Sequence, residues 1–192
     1  MIILSILFFV TALIYSSVGF GGGSTYLAIL LIWGVPYTIF PVIALVCNII
    51  VVSGNSINFI RSKNINFNLL FPYLIGSIPF AFIGGSISIE KSLFEILLFC
   101  VLLVAGIFLL IESKSFNKEQ IKINKIPRLI SISFGSIIGF MSGIVGIGGG
   151  IFLSPLLFLM KAGYPRHITS SASLFILINS IFGIAGQLTK DQ

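Results

Sequence analysis

Two glycine-rich interruptions, placed alike inside two long apolar stretches, constrain this chain more than any other feature. The first reads Val18-Gly19-Phe20-Gly21-Gly22-Gly23-Ser24 and the second Val145-Gly146-Ile147-Gly148-Gly149-Gly150-Ile151. Gly146 follows Gly19 by 127 residues. Each interruption leads into an apolar run and then a turn with proline, Gly34-Val35-Pro36 or Ala162-Gly163-Tyr164-Pro165. Gly-interrupted hydrophobic segments at corresponding places in two halves are the best sequence pointer to the binding site of a membrane carrier.

The surroundings of these breaks exclude a soluble fold. Charged residues make up 8% of the chain, against about a quarter in soluble domains, so a water-facing surface cannot be built. A helix needs about 20 apolar residues to cross a bilayer. That yardstick marks Ile2–Trp33, Ile39–Ile60, Phe67–Ile89, Leu93–Ile111, Leu129–Met160 and Ile168–Leu188. The first and fifth are too long for one crossing: at about 1.5 Å per residue, Ile2–Trp33 would run to roughly 48 Å against a core of about 30 Å. Each holds a triple glycine, so each is either a broken helix or a helix with a short re-entrant element. Ile2–Val18 has no basic leader region and reads as a retained span.

The net charge of +6 orients the chain against the membrane and is no sign of nucleic-acid binding. If every segment crosses once, Arg61, Lys63, Lys114, Lys118, Lys122, Lys125, Arg128 and Lys190 share one side, eight in all. Lys91, Lys161 and Arg166 fall on the other. The richer side, with both termini and the 112–128 loop, is then expected in the cytoplasm. Re-entrant glycine segments would change this parity. The repeat also leaves the second half without counterparts of Phe67–Ile89 and Leu93–Ile111. Either another subunit supplies those surfaces or the pattern is shortened here.

Three glycines in a row unwind a helix and let other groups approach the backbone. Unwound backbone inside a membrane must be protein-buried or line a watery cavity. The helix restarting after Gly21, Gly22 and Gly23, or after Gly148, Gly149 and Gly150, would offer free N–H groups and the positive end of its dipole to an anion. Ser24 and Thr25 add hydroxyls in the first copy and Ser154 in the second. Close helix packing is the competing reading, and it is the preferred one for Gly135, Gly139 and Gly143. Polar residues within spans include Asn48, Ser53, Asn55 and Asn58, then Ser170, Ser171, Ser173, Asn179 and Gln187. Such groups either line a pathway or bond between helices. Arg166 and His167 beside Pro165 anchor the interface or draw anions inward. Glu90, Lys91 and Glu95 read as a solvated helix start. Cys47 and Cys100 read as buried small hydrophobes. No metal-ligand cluster, catalytic triad or mid-span carboxylate is present in the sequence, so neither an enzyme nor a cofactor is expected.

The residues at the breaks resemble the sulfite exporter TauE/SafE family. The resemblance rests on Gly19-Phe20-Gly21-Gly22-Gly23-Ser24 with Gly34-Val35-Pro36, and on Gly143-Ile144-Val145-Gly146-Ile147-Gly148-Gly149-Gly150 through Pro155, Pro165 and Ser170-Ser171-Ala172-Ser173-Leu174. It implies a transporter of small sulfur-containing or organic anions such as sulfite or sulfonates, with the Gly21–Ser24, Gly148–Gly150 and Ser170–Ser173 stretches along the pathway.

The expected fold is all-α: a polytopic transmembrane helical protein with two internal repeats, each opening with a Gly-broken helix. Residues 1–111 form the first repeat, 112–128 a basic loop and 129–192 an incomplete second repeat. The expected setting is the cell membrane, crossed several times, with the lipid bilayer and a small anion as partners. A homo-oligomer, or a non-transporting subunit that needs a partner, stays open.

Overall fold

The computed structural model describes residues 2–112 and 123–190. The apolar stretches fold as α1 (Ile2–Val18), α2 (Gly23–Ile32), α3 (Phe40–Arg61), α4 (Phe67–Ser86), α5 (Lys91–Glu112), α6 (Arg128–Val145), α7 (Gly150–Leu159) and α8 (Pro165–Gln187). No strand occurs among the described residues. By length and composition α3, α4, α6 and α8 can each cross a membrane. The chain is a multi-pass membrane protein, and its outer surface shows it. Ile2, Phe9, Ile50, Ile96 and Leu129 are exposed, while Asn48, Ser170, Ser173 and Asn179 have no exposed surface at all.

Glycine sets the closest packing. Along α6, a Cβ on Gly135 would fall on the Tyr73 carbonyl, one on Gly139 on the Ser77 carbonyl, and one on Gly143 on the Ala81 carbonyl. From α4, Gly76 meets the Ile132 carbonyl and Gly84 the Phe140 carbonyl. The two helices thus touch backbone to backbone over five glycines, and Gln187 of α8 donates to the Gly143 carbonyl at 2.8 Å. In lipid, where apolar side chains gain nothing by meeting each other, such close approach is what drives association.

The turns sort into two ends of the bundle. At one end, the Asn64 carbonyl after α3 accepts from Ser170 Oγ at 2.8 Å and pairs with His167 Nδ1 at 2.7 Å. At the same end Asn124, ahead of α6, donates its N–H to the Lys161 carbonyl at 3.0 Å and Nδ2 to the Met160 carbonyl at 3.3 Å. At the other end Tyr37 and Phe40 pack on Phe94, with ring centroids 5.9 and 6.0 Å apart, and Thr189 donates to Ser86 Oγ at 3.1 Å. The Lys91–Glu95 pair, 3.8 Å and exposed, belongs to this second end and matches the solvated helix start read from sequence.

These contacts decide between the two readings of the overlong segments. α6 starts just after Asn124 and α7 finishes two residues before Lys161, which Asn124 contacts, so the pair enters from one end and returns to it. α1 and α2 do the same from the opposite end: Phe8 stacks on Tyr26 at 4.9 Å, and Leu4 and Ser5 share a hollow with Leu30. At 1.5 Å per residue α1 runs about 25 Å and the ten-residue α2 and α7 about 15 Å each, half of the roughly 30 Å core. Both glycine segments are therefore re-entrant hairpins, pointing in opposite directions.

The single-crossing charge count is corrected accordingly. Lys161 and Arg166 join Arg61, Lys63, Lys125 and Arg128 at one end, hereafter the basic end. Lys190 joins Lys91 at the other end, where both α1 begins and α8 finishes. Lys114, Lys118 and Lys122 lie outside the described residues. The cysteines also differ from expectation. Both are free, Cys47 half-buried and Cys100 exposed. An apolar neighbourhood does not mean burial in a membrane helix, because its outward face is equally apolar.

Candidate functional site

The first break begins where α1 stops at Val18. Gly19 takes φ +88° and Gly22 φ +81° with ψ 11°, left-handed backbone that costs other residues about 1–2 kcal/mol. The second break repeats this with Gly146 at φ +87°, Gly148 at +83° and Gly149 at +77°. Left-handed turns also follow both short helices, at Gly34 (φ +69°) and at Lys161 (φ +51°). Gly19, Gly22 and Gly34 thus match Gly146, Gly149 and Lys161 at the 127-residue offset.

Restarting a helix leaves its first amides without carbonyl partners. The Gly22 carbonyl accepts from Thr25 and Tyr26, and the Gly149 carbonyl from Phe152 and Leu153. Among the described residues, the N–H groups of Gly21, Gly22, Gly23 and Ser24 find no acceptor, nor do those of Ile147 through Ile151. Neither Gly22 nor Gly149 has a side-chain cap to offer.

Asn48 of α3 joins the two breaks. Its Nδ2 donates to the Ile147 carbonyl at 3.0 Å, while Oδ1 lies against Gly21 with no hydrogen-bond partner. A Cβ on Gly23 would come within 2.6 Å of the Ile147 carbonyl and 2.8 Å of Asn48 Nδ2. One on Gly148 would come within 2.7 Å of Asn48 Nδ2 and 3.0 Å of Ser180 Oγ. Glycine is thus required at these positions because a carboxamide and a carbonyl occupy the space a side chain would need. The breaks meet through Asn48.

Beside this junction lies a cavity of about 330 Å³, running from the first break along α7 and α8 toward the basic end. Gly21, Gly22, Gly23 and Ser24 form one wall, with Tyr15 from α1 above them. Tyr15 packs over Gly22 and shares a 2.8 Å hydrogen bond with Thr25 Oγ1. Ile151, Ser154, Pro155 and Phe158 of α7, Thr169 and Ile176 of α8, and Val18, Phe20 and Ile147 at the breaks line the rest. Ser24 and Ser154 are 8% and 4% exposed, and neither hydroxyl has a hydrogen-bond partner among the described residues. Among the described residues, no lysine, arginine, histidine or carboxylate lines the cavity.

The other sequence candidates sit elsewhere. Gly148, Gly149 and Gly150 lie behind the cavity wall, packed on Asn48, on Phe175 and on Ile176 respectively. Ser170 bonds the Asn64 and His167 carbonyls, and Ser173 faces Ser56 at 3.4 Å across the α3–α8 seam. Ser171 Oγ and Asn179 Oδ1 are buried without partners, and Asn179 Nδ2 returns to the Phe175 carbonyl at 2.9 Å. Arg166 is exposed at the basic end. Tyr15, Thr169 and Ser180 escaped the sequence reading. Thr169 adjoins the serine run, but nothing in the sequence brings Tyr15 back over a glycine seven residues on.

The family model described as sulfite exporter TauE/SafE matches residues 4–192. A probable membrane transporter protein of Sinorhizobium fredii is 30% identical over 185 residues, covering 95% of this chain and 74% of its own. One from Methanocaldococcus jannaschii is 30% identical over 199 residues, covering 98% and 73%. A sulfite exporter TauE/SafE family protein of Arabidopsis thaliana is 36% identical over 64 residues, covering 33% and 14%. No solved structure matches the chain.

Proposed function

The chain belongs to the sulfite exporter TauE/SafE family and is a membrane transporter, and from that premise we propose that it carries small anions through the cavity at the first glycine break. One observation carries this reading. Two buried, unpartnered hydroxyls, Ser24 and Ser154, line a cavity walled by Gly21 to Ser24, whose four amides are unpaired, so hydrogen-bond donors are concentrated at it. Donors without a fixed positive charge suit an anion that must also leave. The start of a helix stabilises a nearby negative charge by about 0.3–1 kcal/mol, a weaker hold than a buried cation would exert.

The two oppositely directed hairpins, matched at three left-handed positions, support an inverted repeat of the kind that carriers rock about a central site. Six described basic residues at one end against two at the other support a cytoplasmic basic end, with both termini of the described chain outside. Sulfite and organic sulfonates are the substrates this reading puts first, in keeping with the family description.

Flux into proteoliposomes tests it. Sulfite and methanesulfonate should cross bilayers holding the protein faster than protein-free bilayers. Gly22→Leu, which would drive a side chain into Thr11 and Tyr15, should stop that flux, and so should the backbone-neutral pair Ser24→Ala with Ser154→Ala. Equal flux with and without well-reconstituted protein defeats the proposal.

A further inference from the structure

We infer that the cavity is built for an organic monoanion with an apolar body of several carbon atoms, not for a bare inorganic oxyanion. The inference rests on the transport reading and narrows its substrate. Size is the first ground. About 330 Å³ is on the order of ten waters' worth of space at about 30 Å³ each, and an oxyanion with one central atom fills only a small part of it. The remainder would stay wet or empty around such an ion.

The distribution of polarity is the second ground. Donors gather on one side, where Ser24 Oγ and the Gly21–Gly23 amides sit, joined by Ser154 Oγ from the facing helix. The rest of the lining is mostly apolar, with Ile147, Ile151, Pro155, Phe158 and Ile176 beside Val18 and Phe20, and takes in two further hydroxyl residues, Tyr15 and Thr169. On α7, residues 151, 154, 155 and 158 share one helical face, so the hydroxyl is set in an apolar stripe. A ligand that satisfies both parts has a charged head and a hydrocarbon or aromatic body. A small, strongly hydrated ion would have to give up its water to that apolar wall for nothing in return.

The third ground is charge. Among the described residues no cationic side chain lines the cavity, so the desolvation of a second negative charge has nothing there to offset it. A sulfonate or carboxylate with its single charge spread over several oxygens meets the neutral donors on fair terms. A dianion does not.

Binding isotherms distinguish this from the broader transport reading. The full chain in lipid nanodiscs is titrated with straight-chain sulfonates from methane- to hexanesulfonate, with sulfite, and with 1-hexanol, subtracting empty nanodiscs. Affinity should rise about four-fold per added methylene until the space is filled, the factor that about 0.8 kcal/mol per buried methylene yields. Sulfite should bind most weakly. Phe158→Ser should flatten the chain-length dependence, while Ser24→Ala with Ser154→Ala should weaken every sulfonate by one common factor and leave that dependence intact. Chain-length-independent affinity, with sulfite equal to or tighter than the sulfonates, overturns the inference and leaves anion transport standing. Hexanol binding as tightly as hexanesulfonate overturns it too, by showing a merely greasy hollow. No anion bound and none transported defeats both readings.

Discussion

Replacing Gly139 by alanine should destabilise the protein, and the structure sets the size of the effect. The added Cβ would fall on the Ser77 carbonyl oxygen and lie 2.7 Å from Ser77 Cα and 2.9 Å from its carbonyl carbon. All three are backbone atoms of α4, so no side chain can swing aside and the helices must separate. Overpacking of this kind costs about 1–3 kcal/mol. Alanine also improves intrinsic helix propensity by about 1 kcal/mol, which masks part of the clash. Gly106 in α5 isolates that second effect, because a Cβ at that position would have no neighbour within 4 Å. The difference between Gly139→Ala and Gly106→Ala should therefore be about 1–3 kcal/mol, roughly five- to 150-fold in the unfolding equilibrium. Reversible unfolding in mixed micelles, titrated with dodecyl sulfate and followed by circular dichroism, measures both variants against the parent. Equal midpoints for the two would refute the view that backbone contact between α4 and α6 holds the bundle together.

Two further predictions concern the ends. In a Cys47→Ser, Cys100→Ser background, single cysteines at Arg61 and Arg166 should react with an impermeant maleimide from the same face of sealed vesicles, and one at Ser88 from the other; labelling of Arg61→Cys and Arg166→Cys from opposite faces would show that the hairpins cross. Burial lowers the pKa of Lys190 below the usual lysine value, so the ammonium weakens the fold at neutral pH and the penalty lifts as pH rises through that lowered pKa. Lys190→Gln should thus raise the unfolding midpoint at neutral pH and lose its advantage at strongly alkaline pH, where lysine is neutral in both states; a gain independent of pH would assign the effect to packing.

What was legible in the sequence follows from what hydropathy measures. It found the elements well: Phe67–Ile89 folds as Phe67–Ser86 and Leu93–Ile111 as Lys91–Glu112. It could not give direction, because a hairpin and a crossing have the same composition; the contacts of Asn124 with Met160 and Lys161 show that α7 returns. Gly21, Gly22, Gly23, Ser24 and Asn48 stood out as small or polar residues in apolar surroundings, and the structure brings them together. The serines at 170, 171 and 173 carried the same signal, yet Ser170 and Ser173 turn to Asn64 and Ser56, and Ser171 is buried without a partner. Composition marks a polar residue in a span; whether it bonds a neighbouring helix or a ligand depends on which face it takes, and that is settled by tertiary packing.

The cavity's placement also bears on how a ligand moves. Its lining includes Phe158 and Thr169, one within a helical turn of Lys161 and the other within a turn of Arg166, so it extends toward the basic end. Past the junction of the breaks, α2 presents Tyr26, Leu27 and Leu30, each no more than 2% exposed, and the way to the opposite end is filled. If the cavity is the transport site we propose, it has to open to each side in turn, and α2 is then the element that loosens from this packing in a second arrangement. The first break is where such a movement would hinge. α2 joins α1 through residues 19–22, where Gly19 and Gly22 take left-handed backbone that no other residue adopts as readily, and it meets the second break at Asn48 and at the Gly23–Ile147 approach rather than through an interlocked glycine ladder. α6 is bound to α4 along its length, whereas the α1–α2 hairpin packs lightly, and the moving part of such a cycle is drawn from the loosely held elements.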